Sequence, residues 1–368
     1  TIRQLTKKIG RIFNHHGVLS IHFAVKHHNE QTTIKVLNIH PRITRSSLLA
    51  YRAGLYNIGY CLAKIALGYN LNEITNPNSG QSAAIEPVLD NVVIKFPNWS
   101  FTRAGETYYE LGAKMQASGE TLGVGRTFEE AFMKGVNATN IFDENFTLFE
   151  KYFKLEKQEL LDGLRNYHTE HHFIQLIVAL LKDIPLAQIR KAINIHPIYL
   201  QKLNSLAAVV KTLLQSATGS LPPETLQTAK NFAFANSLIA NLTKRPLAEI
   251  EQLLTDNEIL PHFIQIDGTA GMSAPLTSAV YQSYGAADEV KPLASDKPKI
   301  LIIGLEPFEI SLNSEFDYML YHAIDTLKQE GFETIIISNN SEAISSEYCH
   351  VDRVYFEPIN MENILNIA

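Results

Sequence analysis

The run Asn38-Ile39-His40-Pro41-Arg42-Ile43-Thr44-Arg45-Ser46-Ser47 gathers residue types that handle phosphate. A strand should end there, and two arginines and a pair of serines lead on into a helix. Guanidinium suits phosphate because its planar fork binds oxygens in pairs, so Arg42 and Arg45 are candidates to face a phosphoryl group. An arginine that follows a strand can equally form an ordinary salt bridge with a neighbouring carboxylate. Asn38 and His40 stand where a metal-assisted phosphate site would want acidic oxygen ligands, and His22 on the preceding strand can join them. The run therefore points to ATP chemistry and to damage to it. His15, His16, His22, His27 and His28 crowd the same region. Their spacing matches no zinc pattern, and they read as solvated loop residues.

A hairpin has to position these side chains. Residues 2–14 carry apolar residues at helical spacing. Residues 21–25 read as a strand, 26–31 as a polar turn, and 32–39 as a second, β-branched strand. Alternation along that strand puts Asn38 and His40 on one face. A long helix is expected over 46–67, capped by Ser46 or Ser47 and stopped at Gly68. Residues 76–82 form a turn-rich loop. A strand over 92–96 should end at Pro97. Another strand is expected over 121–124, and Thr127 should cap a helix over 128–136 with Glu129 and Glu130 in its first turn.

From about residue 143 the period becomes 3.6. Helices are expected at 145–154, 158–167, 172–183, 186–193, 197–215, 223–235, 237–242 and 246–256, with prolines at several starts. An irregular stretch follows over 261–272, then a linker over 290–297. Beyond it lie a strand (299–303), a helix (315–329), a second strand (333–338) and a possible third (354–356). That is the opening of a doubly wound sheet, cut off before it is complete.

Composition narrows the options. A chain of 368 residues favours two or three domains, and 45% hydrophobic content supports real cores. A formal net charge of −6 argues against a nucleic-acid binder. No apolar run approaches a membrane span, and no signal peptide opens the chain. Cys61 and Cys349 read as reduced thiols of a cytoplasmic protein. Both chain ends look cut from something longer.

Together these pieces resemble the large subunit of carbamoyl-phosphate synthetase, over essentially the whole chain. The family writes Glu-x-Asn-Pro-Arg-x-Ser-Arg-Ser-Ser where this chain has Asn38 to Ser47. Its Ala-x-Lys-Leu-Ala-x-Gly-Tyr is similar to the run ending Ala63-Lys64-Ile65-Ala66-Leu67-Gly68-Tyr69. Its Glu-Pro-Ser-x-Asp-Tyr-Val-Val-x-Lys segment resembles Glu86 to Lys95, and its Gly-Arg-Thr resembles Gly125-Arg126-Thr127. In the tail, Glu315-Phe316-Asp317-Tyr318 and Asp352-Arg353-Val354-Tyr355-Phe356-Glu357-Pro358 match as well.

The resemblance implies a multidomain fold, α/β plus all-α. Residues 1–142 would be the C-terminal part of an ATP-grasp (carboxyphosphate) domain. Residues 143–290 would be a helical oligomerisation domain. Residues 298–368 would be the start of a Rossmann-like pre-ATP-grasp domain. The implied activity is ATP-dependent carbamoyl phosphate synthesis from bicarbonate and glutamine-derived ammonia, in arginine and pyrimidine biosynthesis. Implied partners are a glutaminase small subunit and a second copy through the helical domain. The strands and lysines that cover the phosphates in the family would precede Thr1.

In the family a glutamine, a glutamate and an asparagine of the hairpin hold Mg²⁺ against the ATP phosphates. The matching positions are His22, Asn38 and His40 as metal ligands, with His22 and Asn38 also as candidate cofactor-binding residues. Mg²⁺ prefers carboxylate, phosphate and water oxygens, whereas imidazole suits zinc, copper, iron or nickel. Three readings stay open: a site for a softer metal, weak metal-poor nucleotide binding, or ordinary polar residues freed from catalytic demand. In the tail the family's glycine-rich loop is replaced by residues 304–313, with Glu309 at an arginine position. That loop reads as a plain strand–helix connection. Two altered sites suggest a degenerate homologue without catalysis, with a non-catalytic assembly protein as the alternative.

Overall fold

The structure is a computed structural model that describes residues 1–28, 31–98, 119–139, 149–166, 172–277, 279–304, 308–309, 314–348 and 350–368. The chain folds as two units. One comprises Thr1–Asp90 with Ile266–Ser278, the other Asn91–Gln265 with Ala279–Ala368. The division after Asp90 differs from the boundary expected near residue 142.

The first unit opens with helix α1 (Ile2–Phe13), ended by Asn14 in the left-handed conformation at φ 45°. Strands β1 (Ser20–His28) and β2 (Gln31–His40) form an antiparallel hairpin. Both run further than expected, so the polar turn shrinks and His27 and His28 belong to β1. A bulge falls between His22 and Phe23 on one strand and Asn38 and Val36 on the other, which leaves Leu37 as the extra residue.

The single helix expected over 46–67 is two helices, α2 (Arg45–Gly54) and α3 (Ile58–Ala66). The break is tertiary in origin. Leu55 turns left-handed at φ 51°, and the Asn76 side-chain amide donates to its carbonyl at 2.9 Å. A side chain at Gly268 would run into the Gly54 carbonyl, so the returning segment 266–278 lies directly against the end of α2. Asn57 then caps α3, its side chain accepting from the Tyr60 N–H at 3.0 Å.

The second unit holds two sheets and a helical layer. In the smaller sheet β3 (Val92–Asn98) pairs with β4 (Gly119–Gly125), which pairs in turn with β8 (Phe308–Glu309). Pro97 lies inside β3 rather than ending it. The strand is at the sheet edge, where a missing N–H removes no ladder bond on the open side. Helix α4 (Phe128–Asn137) starts at Thr127 as expected and packs on β4 so closely that a Cβ at Gly123 would strike the Ala131 backbone oxygen.

Residues 149–154 are helical, and residues 145–148 of that expected helix lie outside the described residues. The helical layer continues with α5 (Lys157–Asn166), α6 (His172–Leu181), α7 (Leu186–Ala192), α8 (Pro197–Gln215), α9 (Pro223–Asn231), α10 (Asn236–Thr243) and α11 (Leu247–Asp256). Pro197 and Pro223 occupy first helical positions, where a missing N–H costs nothing. Helix α9 stops earlier than expected because Ala233 turns left-handed at φ 59°. Leu160, Leu164, Leu200, Leu206 and Leu213 are among the buried residues of one continuous core.

The larger sheet has five strands in the order β5 (His262–Gln265), β6 (Ala279–Ser283), β10 (Arg353–Phe356), β9 (Glu333–Ser338) and β7 (Lys299–Ile303). Strands β6, β10, β9 and β7 run parallel, and β5 is antiparallel to β6. Residues 262–265 had read as irregular. They and β6 extend the α/β tail into a wider sheet than the tail alone supplies. Helices α12 (Ser314–Gln329) and α13 (Met361–Ile367) accompany it.

Candidate functional site

At the open end of the hairpin, Ser20 pairs with His40, Ile21 with Ile39, and His22 with Asn38. His22 and Asn38 therefore stand directly across from each other, and His40 follows two residues later on the same face. The His22 and His40 rings lie edge to face with centroids 5.3 Å apart. His22 and Asn38 are exposed and His40 is half-buried. The expectation from strand alternation, that these three share a face, holds in the observed register.

Past His40 the chain turns through Pro41 and Arg42 into α2. The helix cap is Thr44, not Ser46 or Ser47. The Ser47 N–H donates to the Thr44 hydroxyl at 3.3 Å, and the Thr44 N–H donates to the Ser47 hydroxyl at 3.1 Å. Ser47 is buried in this reciprocal cap, which leaves Ser46 as the exposed hydroxyl. Arg42 is exposed and donates to the Ile43 carbonyl at 3.0 Å, while Arg45 is the first residue of α2 and half-buried. Two arginines thus flank a helix N-terminus whose first turn carries no acidic residue, an arrangement that favours an anion.

The donor set does not fit magnesium. Two of the three side chains offer imidazole nitrogen. The third, Asn38, already accepts from the Ile39 N–H at 2.9 Å through its amide oxygen. None of the three side chains carries the negative charge that holds a hard cation. Among the described residues no group of three or more His, Cys, Asp or Glu is arranged around a metal position.

Other expected features fall as follows. His15 is committed locally, its Nε2 lying 2.9 Å from the Val18 carbonyl. Cys61 is a free, buried thiol, pushed above its usual pKa by burial and hydrogen-bonded to Tyr56, which makes it unreactive. Cys349 lies outside the described residues, as do residues 305–307 and 310–313 of the altered glycine loop. The described residues of 304–313 are Gly304 and Phe308–Glu309, and the latter pair forms a short strand on β4 rather than a plain connection.

Sequence reasoning missed two buried lysines paired with carboxylates in the second unit. The Lys134 ammonium lies 2.6 Å from a Glu357 carboxylate oxygen and also donates to the Gln282 carbonyl. The same carboxylate accepts from the Gln282 N–H at 2.6 Å. Burial raises the Glu357 pKa to about 7, and Lys134 opposes the rise. The Lys230 ammonium lies 2.5 Å from Glu362, 2.8 Å from the Asn236 amide oxygen and 3.0 Å from the Phe234 carbonyl. The available signal was a lysine inside an otherwise apolar helical run, as in Ala131-Phe132-Met133-Lys134-Gly135-Val136.

Three domain models match in order: the carbamoyl-phosphate synthase L chain ATP binding domain over residues 1–74, the carbamoyl-phosphate synthetase large chain oligomerisation domain over 120–258, and the carbamoyl phosphate synthase preATP-grasp domain over 296–368. The hairpin leading through paired arginines into a capped helix falls within the first match, the helical layer within the second, and strands β7, β9 and β10 of the α/β sheet within the third. The chain is similar to the carbamoyl phosphate synthase large chain of Methanothermobacter thermautotrophicus, 34% identical over 367 residues, covering 100% of this chain and 33% of that protein. The protein of the same name from Clostridium perfringens is 35% identical over 353 residues, 95% of this chain and 32% of its own length. That from Methanobrevibacter smithii is 32% identical over 367 residues, 100% and 33% respectively. The chain belongs to the carbamoyl-phosphate synthetase large-chain family as a divergent homologue, and it spans about a third of the length of these curated relatives.

Proposed function

We propose that this chain is a segment of a carbamoyl-phosphate synthetase large-chain-like protein whose first phosphate site has lost magnesium-dependent catalysis while keeping an anion-attracting pair, Arg42 and Arg45. The observation that supports this reading is the hairpin face itself: His22, Asn38 and His40 share one face, and none of the three carries a carboxylate. An anion drawn to the two arginines and the start of α2 would lack the cation that neutralises and aligns a transferring phosphoryl group. The three-part organisation, 1–142, 143–290 and 298–368, belongs to the same reading, as do ATP and Mg²⁺ as the family's cofactors and a glutaminase small subunit as partner. No described helix is long and apolar enough to cross a membrane.

A second reading, an assembly protein acting through its helical layer, is favoured by the oligomerisation-domain match over 120–258. The two separate in one experiment. ATP is titrated with and without Mg²⁺ while thermal stability and sedimentation are followed. A ligand at 100 times its dissociation constant adds about 2.7 kcal/mol of stability. Loss of magnesium-dependent catalysis predicts that any gain with ATP is the same with and without Mg²⁺ and falls in Arg42→Ala. A gain that requires Mg²⁺ would overturn it. A flat response together with self-association would leave the assembly reading alone.

A further inference from the structure

The donors that fail magnesium are well chosen for another ion. We propose that His22 and His40 form a two-imidazole site for a late first-row divalent cation, of the zinc, nickel or copper class, on the exposed face of the hairpin. This goes beyond the reading above, because it requires neither nucleotide nor the two arginines.

The geometry carries the proposal. His22 and His40 sit on neighbouring paired strands, a backbone held by the ladder and the bulge rather than by a loop. Their ring centroids are 5.3 Å apart. Two imidazoles on one tetrahedral zinc, with Zn–N bonds of about 2.0–2.1 Å, place their ring centroids about 5 Å apart. The two rings therefore stand at the centroid separation that a shared ion requires.

The chemistry agrees with the geometry. Neutral imidazole is the ligand that nickel, copper and zinc favour and that magnesium does not. The Asn38 amide oxygen, opposite His22, can add a weak third contact through its remaining lone pair. Because His22 and Asn38 are exposed, the other coordination positions would be filled by water or an external anion. That makes an open site rather than a closed structural one. With only neutral protein ligands the bound ion keeps its full charge, so an anionic fourth ligand is favoured.

The test uses the full chain, without nucleotide and in excess Mg²⁺. Zn²⁺ is titrated calorimetrically, and Cu²⁺ is followed by electron paramagnetic resonance. The expected result is one saturable ion per chain, with nitrogen hyperfine structure from two imidazoles. His22→Gln and His40→Asn should each weaken binding roughly tenfold or more. The pairs H15N/H16N and H27Q/H28Q should leave it intact. The triple variant H22Q/N38E/H40N, which restores hard oxygen donors, should lose the copper signal and bind Mn²⁺ instead. It also keeps the test decisive should a single variant misfold. Absence of saturable zinc or copper binding would overturn the proposal, as would binding indifferent to His22 and His40 or abolished by the control pairs. Either failure leaves the ATP experiment to judge the preceding reading by itself.

Discussion

In the larger unit Lys134 and Lys230 are buried, each donating to a carboxylate and to at least one further oxygen. In the hairpin unit His22, Asn38 and Arg42, the residues with chemical potential, stand in solvent. The contrast shows which side chains the fold constrains and which it leaves open to exchange. A buried charge that loses its partner destabilises the fold by several kcal/mol, so both members must persist together. An exposed side chain on a two-stranded hairpin can be exchanged at almost no cost to folding. Divergence can therefore replace metal donors without disturbing the architecture around them.

The largest effect should come from breaking a buried pair. Lys134→Ala strands Glu357 without its cation and, measured above the pH of about 7 at which that carboxyl ionises, should lower stability by about 3–5 kcal/mol in chemical denaturation. A loss below about 1 kcal/mol would erase the contrast between the two units.

A pH experiment sharpens the same point. The Glu357 carboxyl is raised by burial to about 7, and Glu347, also by burial, to about 7. Each binds its proton more tightly folded than unfolded. Their stabilising contribution is therefore complete below the ordinary carboxylate range and lost as pH rises toward about 7. Glu357→Gln should remove up to about 1.4 kcal/mol per pH unit of that slope between about pH 4.5 and 7. Unfolding midpoints measured across that window would show no change in slope if Glu357 were not held protonated by burial.

The smallest effects belong to the hairpin unit. Thr44→Ala removes the cap of α2 and should cost about 1 kcal/mol. Arg42→Ala should shift stability by less than about 0.5 kcal/mol, because the side chain is exposed and its described bond is to the adjacent carbonyl. Thermal melts of the two variants side by side would weaken the comparison if Arg42→Ala proved the more damaging.

Local pattern determined a good deal of this protein by itself. Apolar spacing and proline placement located α8 over its full length, and alternation of polar types put Asn38 and His40 on one face. Those features depend on neighbours a few residues away, which a sequence displays directly. The break between α2 and α3 was invisible, because it is made by Gly268 and Asn76 packing on Gly54 and Leu55 from far along the chain. The cap at Thr44 was hidden by two nearby serines that compete for the same role. The place of β6 beside β10, and the burial of Lys134 beside Glu357, arise from pairings across 75 and 223 positions. Only tertiary structure could decide the separation of the His22 and His40 rings, since a ladder register and a bulge set that distance and neither is written in residue types.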